Sequence, residues 1–137
     1  MDLIVFFDST REIRYIVGKY QANLNGEVYK IEPTESIGFF TKLKNDKVAI
    51  KRCNLNLAAY NSVIIITSLW YKKIPSPVLR FLEQSTGRIK NVSYVLFNNN
   101  KEDHPELFDK MDRILNLRRG KSYFVSLEKK EMHLRVY

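Results

Sequence analysis

The sequence contains a single cysteine, Cys53, so no disulfide can form within the chain. A lone cysteine fits a reducing compartment, and a cytoplasmic location is the expectation. Histidine is nearly as scarce. His104 and His133 lie far apart, neither stands at zinc-ligand spacing from Cys53, and no metal site is expected. There is no Gly-x-Gly-x-x-Gly, no Walker loop and no Gly-x-Ser-x-Gly, so the common nucleotide and acyl-transfer signatures are missing. Apolar runs such as Leu3–Phe7 and Val63–Ile66 are far too short to span a bilayer, and no membrane contact is expected. The opening MDLIVFFD has an acidic second residue and no basic segment, so it reads as a strand and not as a signal peptide. No run of five like charges and no basic–aromatic repeat supports nucleic-acid binding.

What remains is ordinary in amount. The chain has 137 residues, 45% hydrophobic and 28% charged, which suits one globular domain over 1–137. That length buries a core without disulfides or metal. The net charge is +8, and residues 61–100, with five basic residues against Glu83, carry half of it. Lys72, Lys73 and Arg80 thus mark a basic edge. Such an edge can steer an acidic partner, and it equally fits a solvated face.

Five hydrophobic runs have strand length and β-type composition: LIVFF (3–7), VYKI (28–31), SVIIIT (62–67), VSYVLF (92–97) and SYFVSL (122–127). SVIIIT is continuous, the mark of a central strand covered on both faces. Helical spacing links Ile13, Ile16, Val17, Tyr20 and Leu24 after the first run. It links Val78, Phe81 and Leu82 after the third, and Phe108, Met111, Ile114 and Leu115 after the fourth. Ser76-Pro77 reads as a helix start, with Ser76 as the cap. Residues 32–59 have no clean period; a helix near 35–43 and a short strand at 48–52 are the expectations there. MHLRV near the end alternates and suggests a small added strand. Strand–helix repeats with right-handed crossovers give a parallel α/β sheet with helices on both faces.

One segment is more specific. In YNSVIIITSLWYKKIPSPVLRFLEQ (60–84), Tyr60, Ser68, Trp70, Pro75, Pro77, Val78, Phe81 and Leu82 match in type and order the third strand, flavin loop and third helix of flavodoxin-like proteins. The chain resembles that family over roughly residues 1–127. The resemblance implies a three-layer α/β/α flavodoxin-like sandwich with a five-stranded parallel sheet of order 2-1-3-4-5, here without the final helix. It also implies FMN at the carboxyl ends of the strands. Its phosphate would lie at Ser9, Thr10 and Arg11, and its ring between Ser68, Leu69, Trp70 and Tyr71 on one side and Asn98, Asn99 and Asn100 on the other.

The loops depart from the family pattern more than the strands do. The first family loop is a run of hydroxyls with a glycine and an asparagine. Here Asp8, Arg11, Glu12 and Ile13 occupy aligned positions, and only Thr10 keeps its type. Ser9 and Glu12 fit a capping box that would start the helix without any ligand. Trp70 fits a stacking ring or a packed one, and the asparagines fit a ligand edge or a plain turn. Two readings follow: a flavodoxin-like FMN-binding electron-transfer module with a redox partner, or a cofactor-free binding or regulatory module that meets an acidic partner at the basic edge. A third is an enzyme acting on a flavin or another phosphate-bearing small molecule.

Overall fold

A computed structural model describes residues 1–8, 10–100 and 102–137. The elements in chain order are β1 (Asp2–Phe7), α1 (Arg11–Asn23), β2 (Gly26–Lys30), α2 (Phe39–Lys44), β3 (Val63–Ser68), α3 (Ser76–Ser85), β4 (Val92–Phe97), α4 (Glu106–Leu115), β5 (Ser122–Glu128) and β6 (Glu131–Val136). One sheet runs β2-β1-β3-β4-β5-β6. The first five strands are parallel, in the expected order 2-1-3-4-5. The expected count of five is corrected to six, because MHLRV forms β6, antiparallel to β5. The connecting turn places Lys129 and Lys130 at φ 48° and 63°, and positive φ at both central residues suits a tight hairpin.

Strand alternation divides the core between the two faces of the sheet. Leu3, Val5, Val63, Ile65, Tyr94, Leu96 and Phe124 point to the side of α3 and α4 and pack on Val78, Phe81, Leu82, Phe108 and Met111. Ile4, Ile64, Ile66, Val95 and Val125 point to the other side, where Ile13, Ile16 and Val17 of α1 meet them. The continuous SVIIIT run is explained by this arrangement, since β3 is central and Val63–Ile66 are buried on both faces.

Residues 32–59 differ from their sequence expectation. The helix is short and begins at Phe39, and the expected strand at 48–52 shrinks to one bridge between Pro33 and Ile50. Ile50, Cys53 and Leu57 each enter the core singly from irregular backbone, so no period could be visible. The start of α3 also differs. Ser76 is its first residue, not its cap, and Ser76 Oγ donates to the Asp46 carbonyl at 2.6 Å. Asn45 takes over the bracing role: its Oδ1 accepts from the Ser76 amide and its Nδ2 donates to the Ile74 carbonyl, both at 2.9 Å. Among the described residues no helix is long and apolar enough to cross a membrane.

Candidate functional site

The carboxyl ends of β1, β3 and β4 converge on one edge of the sheet. In parallel α/β sheets this is where the loops, and hence ligands, collect. The register Phe7–Thr67 and Ser68–Phe97 places the three strand ends side by side.

At the end of β1, Asp8 takes φ 83° and its carboxylate accepts a hydrogen bond from Ser68 Oγ at 2.9 Å. That bond ties the first loop to the third-strand loop. The first helix is capped by Thr10, whose Oγ accepts from the Ile13 amide at 3.3 Å. The cap therefore sits one residue later than the Ser9–Glu12 box places it. Ser9 itself, a sequence-expected ligand residue, lies outside the described residues. Helix geometry leaves the Arg11 and Glu12 amides without an intrahelical acceptor. The side chains of Arg11 and Arg14 are exposed on this first turn.

After β3 the chain makes a two-residue hairpin. Trp70 N–H donates to the Lys73 carbonyl at 2.8 Å, and Lys73 N–H returns to the Trp70 carbonyl at 2.9 Å. The two residues at its tip, Tyr71 and Lys72, stand at φ 49° and 67°. Asn-Gly is the usual occupant of such a turn, so a Tyr-Lys pair holds backbone strain there. The hairpin sends Trp70 and Tyr71 in opposite directions. Trp70 is 6% exposed, meets Phe7 edge to face at 5.6 Å, and has the Lys42 ammonium 6.0 Å from its ring. It packs the end of the sheet. Tyr71 is 55% exposed and is the ring left open to a ligand.

A cavity of about 390 Å³ lies between this hairpin and the fourth-strand loop. Ser68, Leu69, Tyr71 and Lys72 form one wall, and Phe97, Asn98, Asn99 and Asn100 form the other. Lys72 Nζ reaches across to Glu102 at 3.2 Å. The asparagines hold their own loop. Asn98 Nδ2 donates to the Glu102 carbonyl at 2.8 Å, Asn100 Oδ1 accepts from the Glu102 amide at 3.0 Å, and Asn99 Oδ1 accepts from the Leu127 amide at 2.9 Å. The loop is braced further by Asp103, whose carboxylate receives Arg135 Nε at 2.6 Å, Arg135 Nη2 at 2.8 Å and the Tyr137 hydroxyl at 2.6 Å. The Arg135 guanidinium holds the Asp103 carboxyl below the usual carboxylate range, and Tyr137 adds to the effect.

Of the sequence-expected residues, the structure gathers Ser68, Leu69, Tyr71, Asn98, Asn99 and Asn100 around one cavity. Trp70 lines a different one of about 630 Å³, with Asp8, Glu32, Glu35 and Lys42. Thr10 and Arg11 line neither of the two. Phe97 and Lys72 were not anticipated as walls. Phe97 ends its strand beside Ser68, and pairing of the two strand ends is the signal that could have found it. The basic edge also resolves into parts. Lys73 and Arg80 share a separate groove of about 560 Å³ with Lys44, Lys47 and Lys110, where Glu83 is the only acidic residue among the described ones. Lys72 is not part of it.

No family model and no curated protein matches the chain. Solved structures do. A candidate flavoprotein from Bacteroides uniformis has a TM-score of 0.76 at 15% identity, covering 94% of this chain and 92% of its own. A flavoprotein from Lactobacillus acidophilus, solved in complex with FMN, has a TM-score of 0.70 at 14% identity, covering 91% of each chain. A candidate flavoprotein from Bacteroides eggerthii has a TM-score of 0.69 at 21% identity, covering 88% of this chain and 86% of its own. At such identities the likeness is one of fold. The sheet order, the helices on both faces and these neighbours together give the chain a flavodoxin-like fold.

Proposed function

We propose that this protein binds FMN between the third- and fourth-strand loops and serves as a cytoplasmic electron-transfer module. The observation that carries the reading is the cavity between Tyr71 and Asn98–Asn100. It sits at the carboxyl ends of β3 and β4, on a fold shared with a Lactobacillus protein whose crystal structure contains FMN. The ring end fits the residues present. Tyr71 offers an exposed aromatic face, Leu69 and Phe97 supply apolar walls, and the braced asparagine loop brings backbone polar groups to a ring edge. The phosphate end fits through charge more than through hydroxyls. The Arg11 and Glu12 amides and the Arg11 and Arg14 side chains favour an anion at the start of α1, while the Asp8 carboxylate opposes it. When bound, FMN supplies the redox chemistry, and the protein supplies orientation and local charge.

A second reading, of a cofactor-free module that contacts an acidic partner, draws on the groove at Lys44, Lys47, Lys73, Arg80 and Lys110. The groove would serve a partner under either reading, because it adjoins the hairpin through Lys73. An acidic partner seated there would lie beside the flavin loops, steered by the excess positive charge.

Visible absorption of the purified protein followed by FMN titration tests the first reading. A dissociation constant in the low micromolar range or tighter, about −8 kcal/mol, is expected. Riboflavin, which lacks the phosphate, should bind more weakly, and Arg11→Glu should narrow that difference. No binding up to roughly 1 mM would retire the flavin reading and leave the acidic-partner reading.

A further inference from the structure

The two faces of the sheet are covered unequally. The α3 and α4 side is covered by two helices and the 45–60 segment, whereas among the described residues α1 is the one α-helix packed on the other side. The half of the α1 face nearest the amino ends of β3, β4 and β5 lies open between α1 and β6. A cavity of about 540 Å³ occupies this place. It is remote from the flavin loops, which stand at the opposite, carboxyl ends of the same strands.

Register explains its lining. Ile64 pairs with Ser93, Val95 with Tyr123 and Val125 with Leu134, so Ile64, Ser93, Val95, Tyr123 and Leu134 all point to the α1 side. Ile64, Val95, Tyr123, Met132, Leu134 and Leu24 make an apolar wall. Leu134 is 47% exposed, so the wall reaches the surface.

Among the described residues, Asn23, Ser62, Asn91 and Ser93 put neutral polar groups at the rim, and its charged groups are mostly basic. Lys19 and Lys121 stand against a single acid, Asp2. The Lys19 ammonium leans over the Tyr15 ring, 5.5 Å from its centroid. Tyr20 and Tyr123 both line the cavity. Burial, with Tyr123 nearby, pushes the Tyr20 hydroxyl up to about 12, so it stays a donor at neutral pH. An apolar concavity of this size with a few convergent donors is the usual form of a small-molecule site.

We infer that this cavity binds a small amphiphilic anion, an apolar or aromatic body lying on Ile64, Val95 and Tyr123 with its carboxylate or sulfonate toward Lys121 and Lys19. A second copy of the chain is a poorer occupant. The protein carries a net charge of +8, and the same two lysines would face their own kind across a symmetric contact. The site is independent of the flavin reading, since the two ligands would occupy opposite ends of the strands.

The test uses 8-anilinonaphthalene-1-sulfonate with the folded protein, with and without FMN. The expected result is saturable, blue-shifted fluorescence below roughly 100 µM probe, displaced by decanoate and less well by decylammonium. Lys121→Glu should weaken probe and decanoate by roughly fivefold with the circular dichroism unchanged. Leu134→Glu, at a half-exposed position that tolerates change, should weaken both as well. FMN should leave the probe in place. Absence of saturable fluorescence overturns the inference. So does binding that ignores both variants, or binding that FMN abolishes, which would locate the probe in the flavin cavity. A sedimenting dimer that dissociates as the probe binds would assign the face to a second copy instead.

Discussion

The hairpin Trp70–Lys73 holds two non-glycine residues at positive φ, and that strain can be released by substitution. Each left-handed residue of this kind costs about 1–2 kcal/mol. Replacing Tyr71 by Asn and Lys72 by Gly supplies the residues that a type I′ turn prefers. Some of the gain is offset. Glycine loses about 0.5–1 kcal/mol through its freer unfolded chain. The Lys72–Glu102 pair, 3.2 Å apart with both side chains more than half exposed, contributes roughly 0.3 kcal/mol at most. Tyr71 is 55% exposed, so little packing is lost. The double variant should therefore be more stable by about 1–2 kcal/mol, several degrees in Tm for a chain of this size. Urea denaturation followed by circular dichroism measures this, with the midpoint rising and the slope unchanged. The same variant removes the ring that faces the cavity. A lost aromatic stack of about 0.5–1.5 kcal/mol weakens FMN by roughly 2- to 10-fold. Stability should rise while affinity falls. A variant that is no more stable refutes the strain argument. A more stable variant that binds FMN as well as the parent refutes the assignment of Tyr71 to the ligand.

Three further outcomes follow from the same geometry. Trp70→Ala should cost about 3 kcal/mol in urea titration, because it opens a void against Phe7, yet FMN affinity should change little where the variant remains folded. Asp8→Asn should tighten FMN measurably in fluorescence titration. It removes a negative charge near the phosphate position, and Asn accepts the φ of 83° better than Asp or other side chains do. The Asp103 carboxyl is held below its unfolded value of about 3.9, so the stability it lends is fully present above that pH and fades as pH falls through the folded value. Asp103→Asn should lower the urea midpoint at pH 6 and flatten its decline between about pH 5 and pH 2.

The strands and their order were legible because burial imposes a period on them. SVIIIT is apolar throughout because β3 is covered on both faces, and the helical stripe at Ile13, Ile16 and Val17 faces one cluster only. Residues 32–59 were illegible for the converse reason. They cover the sheet through single anchors, Ile50, Cys53 and Leu57, and through hydrogen bonds from Asn45, none of which repeats along the chain. The sixth strand was hinted at by alternation in MHLRV. The Asp103–Arg135 clamp that holds it to the fourth-strand loop leaves no local pattern to read, because the partners are 32 residues apart.

The site was legible as a place and less so as a set of side chains. A strand end announces where a loop begins, but the direction of each loop residue depends on backbone angles that composition does not specify. Trp70 and Tyr71 are adjacent and both aromatic, yet a turn with two positive φ values buries one and exposes the other. The first loop shows the same limit. Capping chemistry and phosphate chemistry both call for hydroxyls and free amides at a helix start, so the residue types alone leave them equivalent. Once Thr10 accepts from the Ile13 amide, its hydroxyl is engaged by the helix. An anion must then rely on the Arg11 and Glu12 amides and on Arg11 and Arg14. That makes phosphate recognition here a matter of charge and therefore of salt: FMN affinity should fall with ionic strength, while riboflavin affinity, which uses only the ring cavity, should stay level.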